Sequence, residues 1–142
     1  YCWGWSLSSG FGLTTAERGR AFSAPTLVPT RVPAIAQVTI GEDQLCIRSA
    51  AGQLWCRGNA LRGWTLHGTT THRSSWSEVS GNWGDVSAAY LGICAVNAAG
   101  EVWCAGRDQN LGFLGNGLMN NFTQLTMAKV NTTGLGSFTK VF

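Results

Sequence analysis

Charge is what this sequence most lacks. Only 12% of its 142 residues are Asp, Glu, Lys or Arg, and the formal net charge is just +3. No run of Lys or Arg occurs, so no nucleic-acid-binding surface is expected. Long apolar stretches are missing as well. None approaches the roughly 18 residues of a membrane span, and the first residues have neither the basic start nor the apolar run of a signal peptide. Good helix formers are scarce, whereas 19 Gly, 7 Trp and abundant Ser and Thr favour turns and strands. The three prolines, Pro25, Pro29 and Pro33, argue against a central strand across 25–33.

Catalytic groups are equally thin. The acids are Glu17, Glu42, Asp43, Glu78, Asp85, Glu101 and Asp108, and none is placed to pair with another. Glu42-Asp43, just before a cysteine, reads as a solvated turn rather than an acid/base dyad. His67 and His72 share the polar stretch "HGTTTHR"; two imidazoles could take a metal, yet no Cys or carboxylate joins them nearby. No Gly-rich loop leads into a helix, so phosphate cradling has no support. The expectation is a chain that is not an enzyme and carries no cofactor and no metal.

What is present is a repeat. "CIRSAAGQLWC" at Cys46–Cys56 returns as "CAVNAAGEVWC" at Cys94–Cys104, and "YCWG" at the start resembles the end of a third copy. If Cys46 faces Cys56, then Ile47 faces Trp55 and Arg48 faces Leu54, which leaves a three-residue loop, Ala50-Ala51-Gly52. Such loops need a left-handed last residue, and Gly supplies it. The second copy pairs Ala95 with Trp103 and Val96 with Val102 around Ala98-Ala99-Gly100. Opposed residues in an antiparallel ladder lie within disulfide reach. Each cysteine pair is therefore a candidate cross-strand disulfide, with two buried free thiols as the alternative. Nine intervening residues is the wrong spacing for a paired metal site.

The period extends further. Gly4, Gly58 and Gly106 each lie two residues after a cysteine, and Val38 and Val86 each open a unit eight residues before one. A period near 50 built from short strands is expected of propeller blades, here about 1–37, 38–85 and 86–140. The Gly-, Ser- and Thr-rich linkers between hairpins read as surface loops with one short outer strand each.

These residues resemble the repeat of the regulator-of-chromosome-condensation (RCC1-like) propellers, in their cysteine-bearing extracellular variety. The third unit carries the likeness best, at Val86, Ser87, Ala88, Cys94, Val96, Gly100, Val102, Trp103, Cys104, Gly106, Leu114, Gly115 and Gly117. The middle unit matches at Val38, Gly41, Cys46, Gly52, Leu54, Trp55, Cys56 and Gly58, and the first at Tyr1, Cys2, Trp3, Gly4 and Gly12-Leu13. Arg57 and Ala105 replace the Trp that the repeat has before its Gly, and the middle unit lacks a clear Leu-Gly-x-Gly ending. A rival resemblance is to tectonin-type lectin propellers, through "WSEVSGNWGDVS" and "CAVNAAGEVW". Both imply an all-β propeller. The founding RCC1-type function is nucleotide exchange, and none of the loop residues that carry it are found here.

Roughly two and two-thirds blades are expected, where propellers close with about four to eight. Val141 in "FTKVF" stands where Val38 and Val86 open their units, and "YCWG" reads as a second hairpin strand. The expectation is an incomplete propeller, open at both ends and completed by further segments of the same protein or by homo-oligomeric neighbours. The odd cysteine, Cys2, is then expected to find its partner outside the chain. Trp55 and Trp103 recur at one hairpin position and read as core, whereas Trp64, Trp76 and Trp83 either contact a ligand or pack blade against blade. Asn121 and Asn131 head two N-x-Thr glycosylation acceptors. Paired cysteines and sequons together imply a secreted, extracellular glycoprotein: a structural or fibrillar assembly module, or alternatively a lectin-like or protein-binding one.

Overall fold

The structure, a computed structural model, describes residues 1–6, 20–42, 44–59, 66–71, 73–119 and 121–142, and only the backbone of 5 and 6. Among these every regular element is a strand: β1 Cys2–Ser6, β2 Arg20–Thr26, β3 Ile35–Ile40, β4 Gln44–Ser49, β5 Leu54–Gly58, β6 Arg73–Val79, β7 Trp83–Ala88, β8 Gly92–Asn97, β9 Val102–Arg107 and β10 Thr123–Lys129. They form three antiparallel sheets, β1-β2, β3-β4-β5-β6 and β7-β8-β9-β10. Each four-stranded sheet is a meander, as a propeller blade requires.

The hairpins have the expected register. Cys46 lies opposite Cys56, Ile47 opposite Trp55 and Arg48 opposite Leu54; Cys94 lies opposite Cys104 and Ala95 opposite Trp103. Gly52 and Gly100 sit at φ +85° and +77°, the left-handed position that ends each three-residue loop. Both cysteine pairs are disulfides, with Cα atoms 4.2 and 4.1 Å apart, so the free-thiol alternative falls away. Cys2 is a free thiol.

The outer strands also repeat. Cys2 faces Thr26 and Gly4 faces Phe22; Cys56 faces Ser77 and Gly58 faces Arg73; Cys104 faces Ala128 and Gly106 faces Gln124. All three ladders slip at the same place, between the cysteine and the glycine after it. Pro25 sits in β2, which has a neighbour only in β1 among the described residues, so its missing N–H breaks no further ladder.

The inner strands begin earlier than Val38 and Val86. They start at Ile35 and Trp83, and a bulge then interrupts each ladder, between Ile35 and Gln37 and between Trp83 and Asp85. A bulge re-aims the side chain beside it, and here that side chain reaches the next sheet. Gln37 Nε2 donates to Asp85 Oδ1 and to the Val86 carbonyl, both at 2.9 Å, while its Oε1 accepts from the Val86 N–H at 3.3 Å. Asp85 Oδ2 in turn accepts from the Val141 N–H at 2.9 Å.

Hairpin tips dock by the same rule. The Gly52 carbonyl accepts from the Trp83 N–H at 2.8 Å, and the Gly100 carbonyl from the Phe138 N–H at 2.9 Å. A Cβ on Gly52 would meet Asn82 Oδ1 at 2.0 Å, and one on Gly100 would meet Ser137 Cβ at 2.6 Å. Residues 138–141 thus touch the third sheet as β7 touches the second. The core fills the space between the second and third sheets, where Cys46, Leu54, Cys56 and Val79 meet Trp83, Val86, Ile93 and Ala95.

Two outcomes follow from these contacts. Replacing Cys46 and Cys56 together by Ala should lower stability by about 2–3 kcal/mol, the chain-entropy value for so short a loop, as read from the urea midpoint under non-reducing conditions; an unchanged midpoint would refute the staple role. Gln37→Ala strands the Val86 amide and should cost about 1–3 kcal/mol in the same assay.

Candidate functional site

Two clefts occupy equivalent places, each between a sheet and the linker that leads into it. Glu78 faces Trp55 and Lys129 faces Trp103, so Trp76 on β6 and Met127 on β10 hold the same position, as do Ser75 and Thr126. Trp55 and Trp103 form the matching floors.

The cleft beside the third sheet measures about 700 Å³. Its base is apolar: Trp83, Trp103, Met127 and Leu66, with Trp83 and Trp103 edge to face at 6.4 Å between centroids and 84° between planes. Asn82 and His67 stand at its sides. The His67 Nε2 contacts the Glu78 carbonyl at 3.0 Å, while its Nδ1 is buried without a hydrogen-bond partner. Thr126, on the outer strand, is exposed at the cleft wall.

The cleft beside the second sheet measures about 570 Å³ and has a different lining. Pro29, Thr30, Arg31 and Val32 of the β2–β3 linker form one wall, and Trp55, Arg57 and Trp76 the other. Arg57 is 2% exposed, and its guanidinium carbon lies 4.5 Å from the centre of the Trp76 ring. Trp76 Nε1 donates to the Pro29 carbonyl at 2.8 Å, which ties the ring to the opposite wall. Burial pushes the Arg57 guanidinium down to about 10, partly offset by nearby Cys2, so it remains a cation at neutral pH.

A polar recess of about 540 Å³ lies near the glycosylation acceptors, lined in part by Glu101, Asn116, Lys129 and Asn131. The Lys129 ammonium, 2.6 Å from Glu101 Oε1, holds that carboxyl below its usual range, helped by the Asn97 amide at 2.7 Å. Glu101 is thus an ion-paired partner of the turn. Asn121 and Asn131 are both exposed and flank β10. Asn121 Oδ1 accepts from Arg107 Nε, and Asn131 Oδ1 from the Thr133 amide and hydroxyl of its own sequon.

Of the aromatic residues singled out in the sequence, Trp83 begins β7 and is 4% exposed, packed into the core, while its ring edges the larger cleft. Trp76 is half-buried against Arg57. Trp64, together with His72, Asp43, Glu17 and Gly12-Leu13, lies outside the described residues. Among the described residues no group of three His, Cys, Asp or Glu is placed to hold a metal. Sequence reasoning missed Arg57 and Met127 as cleft residues. The replacement of the repeat's Trp by Arg57 was the available signal for the first; Met127 left none.

The all-β fold with its antiparallel sheets is that of an RCC1-like β-propeller. The chain superposes on yeast RCC1 (Prp20) in its crystal with Kap60 at TM-score 0.77, with 18% identity, covering 92% of this chain and 32% of that one. Prp20p from Saccharomyces cerevisiae, from a study of its binding to Gsp1p and histones, gives TM-score 0.77 and 18% identity over 92% of this chain and 34% of that one. Human WBSCR16 gives 0.76 and 18% over 91% and 34%. The chain thus spans about a third of the length of these structures. No protein-family model and no curated protein matches it.

Proposed function

We propose that this chain is a non-enzymatic, protein-binding stretch of β-propeller from a secreted glycoprotein. The observation that carries the reading is the pair of equivalent clefts with aromatic floors and different linings. Clefts of a few hundred Å³ with apolar walls and a few fixed polar groups suit side chains of a partner. The similar yeast propeller is described by its binding to other proteins, Gsp1p and histones, which supports a binding role over chemistry. The lectin alternative has less support, because Trp83 and Trp76 are engaged in packing and leave little open ring face for a sugar.

The secreted setting rests on the two disulfides and the exposed sequons. A second reading, structural assembly, draws on the repeated docking rule. Because residues 138–141 sit on the third sheet as β7 sits on the second, further segments of the same protein or neighbouring copies could stack by the same bonds into a larger repeat array.

Two measurements test this. Displayed peptides selected on the folded chain should bind about tenfold or more weaker to Thr126→Arg, whose long side chain fills the larger cleft from an exposed position; binders indifferent to that change, or none at all, would sink the cleft reading. Protein made in a secretory eukaryotic host should lose mass on peptide-N-glycosidase treatment, and Asn121→Gln with Asn131→Gln should abolish the loss. Unmodified asparagines at both positions would remove the glycoprotein part of the proposal.

A further inference from the structure

We infer that the smaller cleft is a carboxylate-recognition site in which Arg57 grips an acidic side chain of a bound peptide and Trp76 serves as its gate. The inference rests on the protein-binding reading above and adds the chemistry of the partner.

Among the described residues Arg57 carries the largest unmet hydrogen-bonding demand. A guanidinium carries five N–H donors and no acceptor, and a buried donor left unpaired is costly. Here Nε and Nη2 are both buried and both lack a hydrogen-bond acceptor. These two nitrogens form one edge of the guanidinium plane, with parallel N–H bonds, the geometry that a carboxylate spans with two parallel hydrogen bonds. The flat face is already used, since the Trp76 ring covers it at 4.5 Å. What Arg57 lacks is therefore a planar, two-oxygen acceptor at its edge.

The equivalent position in the third sheet shows that the guanidinium is not needed to build the fold. Ala105 stands there, fully buried, in the same place relative to its disulfide. The repeat thus closes its blade with a methyl group where the second sheet carries a cation. The walls favour a carboxylate on a peptide over a free inorganic anion: Pro29, Val32, Trp55 and Trp76 offer apolar contact to the chain bearing it, and Arg31 adds a second cation among the described lining residues.

Both Nε and Nη2 are shut off from solvent. Entry of a ligand therefore requires the Trp76 ring to swing off its wall, which breaks the hydrogen bond to the Pro29 carbonyl. That bond and the ring–guanidinium contact hold the gate shut, and two charge-assisted hydrogen bonds in a water-poor site offset their loss.

The test uses the intact, disulfide-bonded chain with 15N-labelled arginine, titrated with N-acetyl-glutamate amide, N-acetyl-glutamine amide or inorganic phosphate. The blocked glutamate should move the Arg57 Nε resonance saturably in the millimolar range expected for so small a ligand, and the blocked glutamine should not. Arg57→Met, a change of similar length in a buried place, should fold normally and abolish the carboxylate response. Trp76→Phe, which keeps a ring but lacks the N–H, should bind the blocked glutamate about twofold or more tighter because the gate is untied. No Arg57 shift with glutamate, an equal shift with glutamine, or stronger binding of phosphate than of glutamate would each overturn the inference. Peptides that still bind in a Thr126-sensitive way would show that the general protein-binding reading survives such a failure.

Discussion

One kind of hydrogen bond sets the spacing of everything else: the carbonyl of the hairpin-tip glycine accepts an amide of the segment that follows its sheet, from Trp83 at the start of β7 for Gly52 and from Phe138 for Gly100. For that carbonyl to point outward, the tip must turn through a left-handed residue. For the next strand to approach, the tip must carry no Cβ. Both demands fall on the same atom, so the tip glycine is constrained twice. An adjoining hydrogen bond from the Ala50 N–H to the Ala34 carbonyl, repeated from the Ala98 N–H to the Asn82 carbonyl, locks the tip against the linker that precedes its sheet. Once tip and linker are fixed, the inner strand that follows has only one place to go.

From this docking the clefts arise as a by-product. The linker that runs up to each tip passes over the floor Trp of its own sheet and leaves a gap bounded by the outer strand. Atoms that make the docking bond are mostly backbone, so they are the same in each unit. Atoms that line the gap are side chains from the outer strand, the linker and the residue after the second cysteine, and these vary freely. Trp76 becomes Met127, and Arg57 becomes Ala105, with no change in the ladder that supports them. A repeat of this kind holds geometry constant in its backbone and keeps chemistry in positions the backbone does not constrain.

The division also explains what could be read from the amino-acid order. The hairpins were legible to the residue, because two cysteines, a floor Trp and a turn glycine at fixed spacing leave one register for β4-β5 and β8-β9. The inner strands were legible only from Val38 and Val86. Their first residues, Ile35 and Trp83, precede a bulge, and a bulge breaks the period-2 pattern on which strand recognition depends. The polar bridge from Gln37 to Asp85 and Val86 was not legible at all, since it joins residues 48 and 49 apart through side chains that the bulge has turned. Trp83 stood at the end of a polar linker, and nothing local distinguished a surface aromatic from the opening residue of a buried strand. The clefts were hidden for a related reason: each gathers side chains from several separate segments, and no single segment carries its signature.

Burial of polar groups separates the second sheet from the third. In the third, Asp108 is buried and its carboxylate accepts from the Leu114 amide, which holds the Leu-Gly-x-Gly loop down on its own sheet. The middle unit has no such Leu-Gly-x-Gly ending in its sequence. Gln44, also buried, instead sends its amide across to the Gly92 carbonyl of the neighbouring sheet at 3.1 Å. Both sheets send polar side chains forward: Gln37 and Gln44 of the second reach the third, and Asp85 of the third accepts from the Val141 amide. Arg57 on β5 and Trp76 on β6 make none of these bonds, so the cleft side chains can differ between the sheets while the sheet-to-sheet contact stays the same.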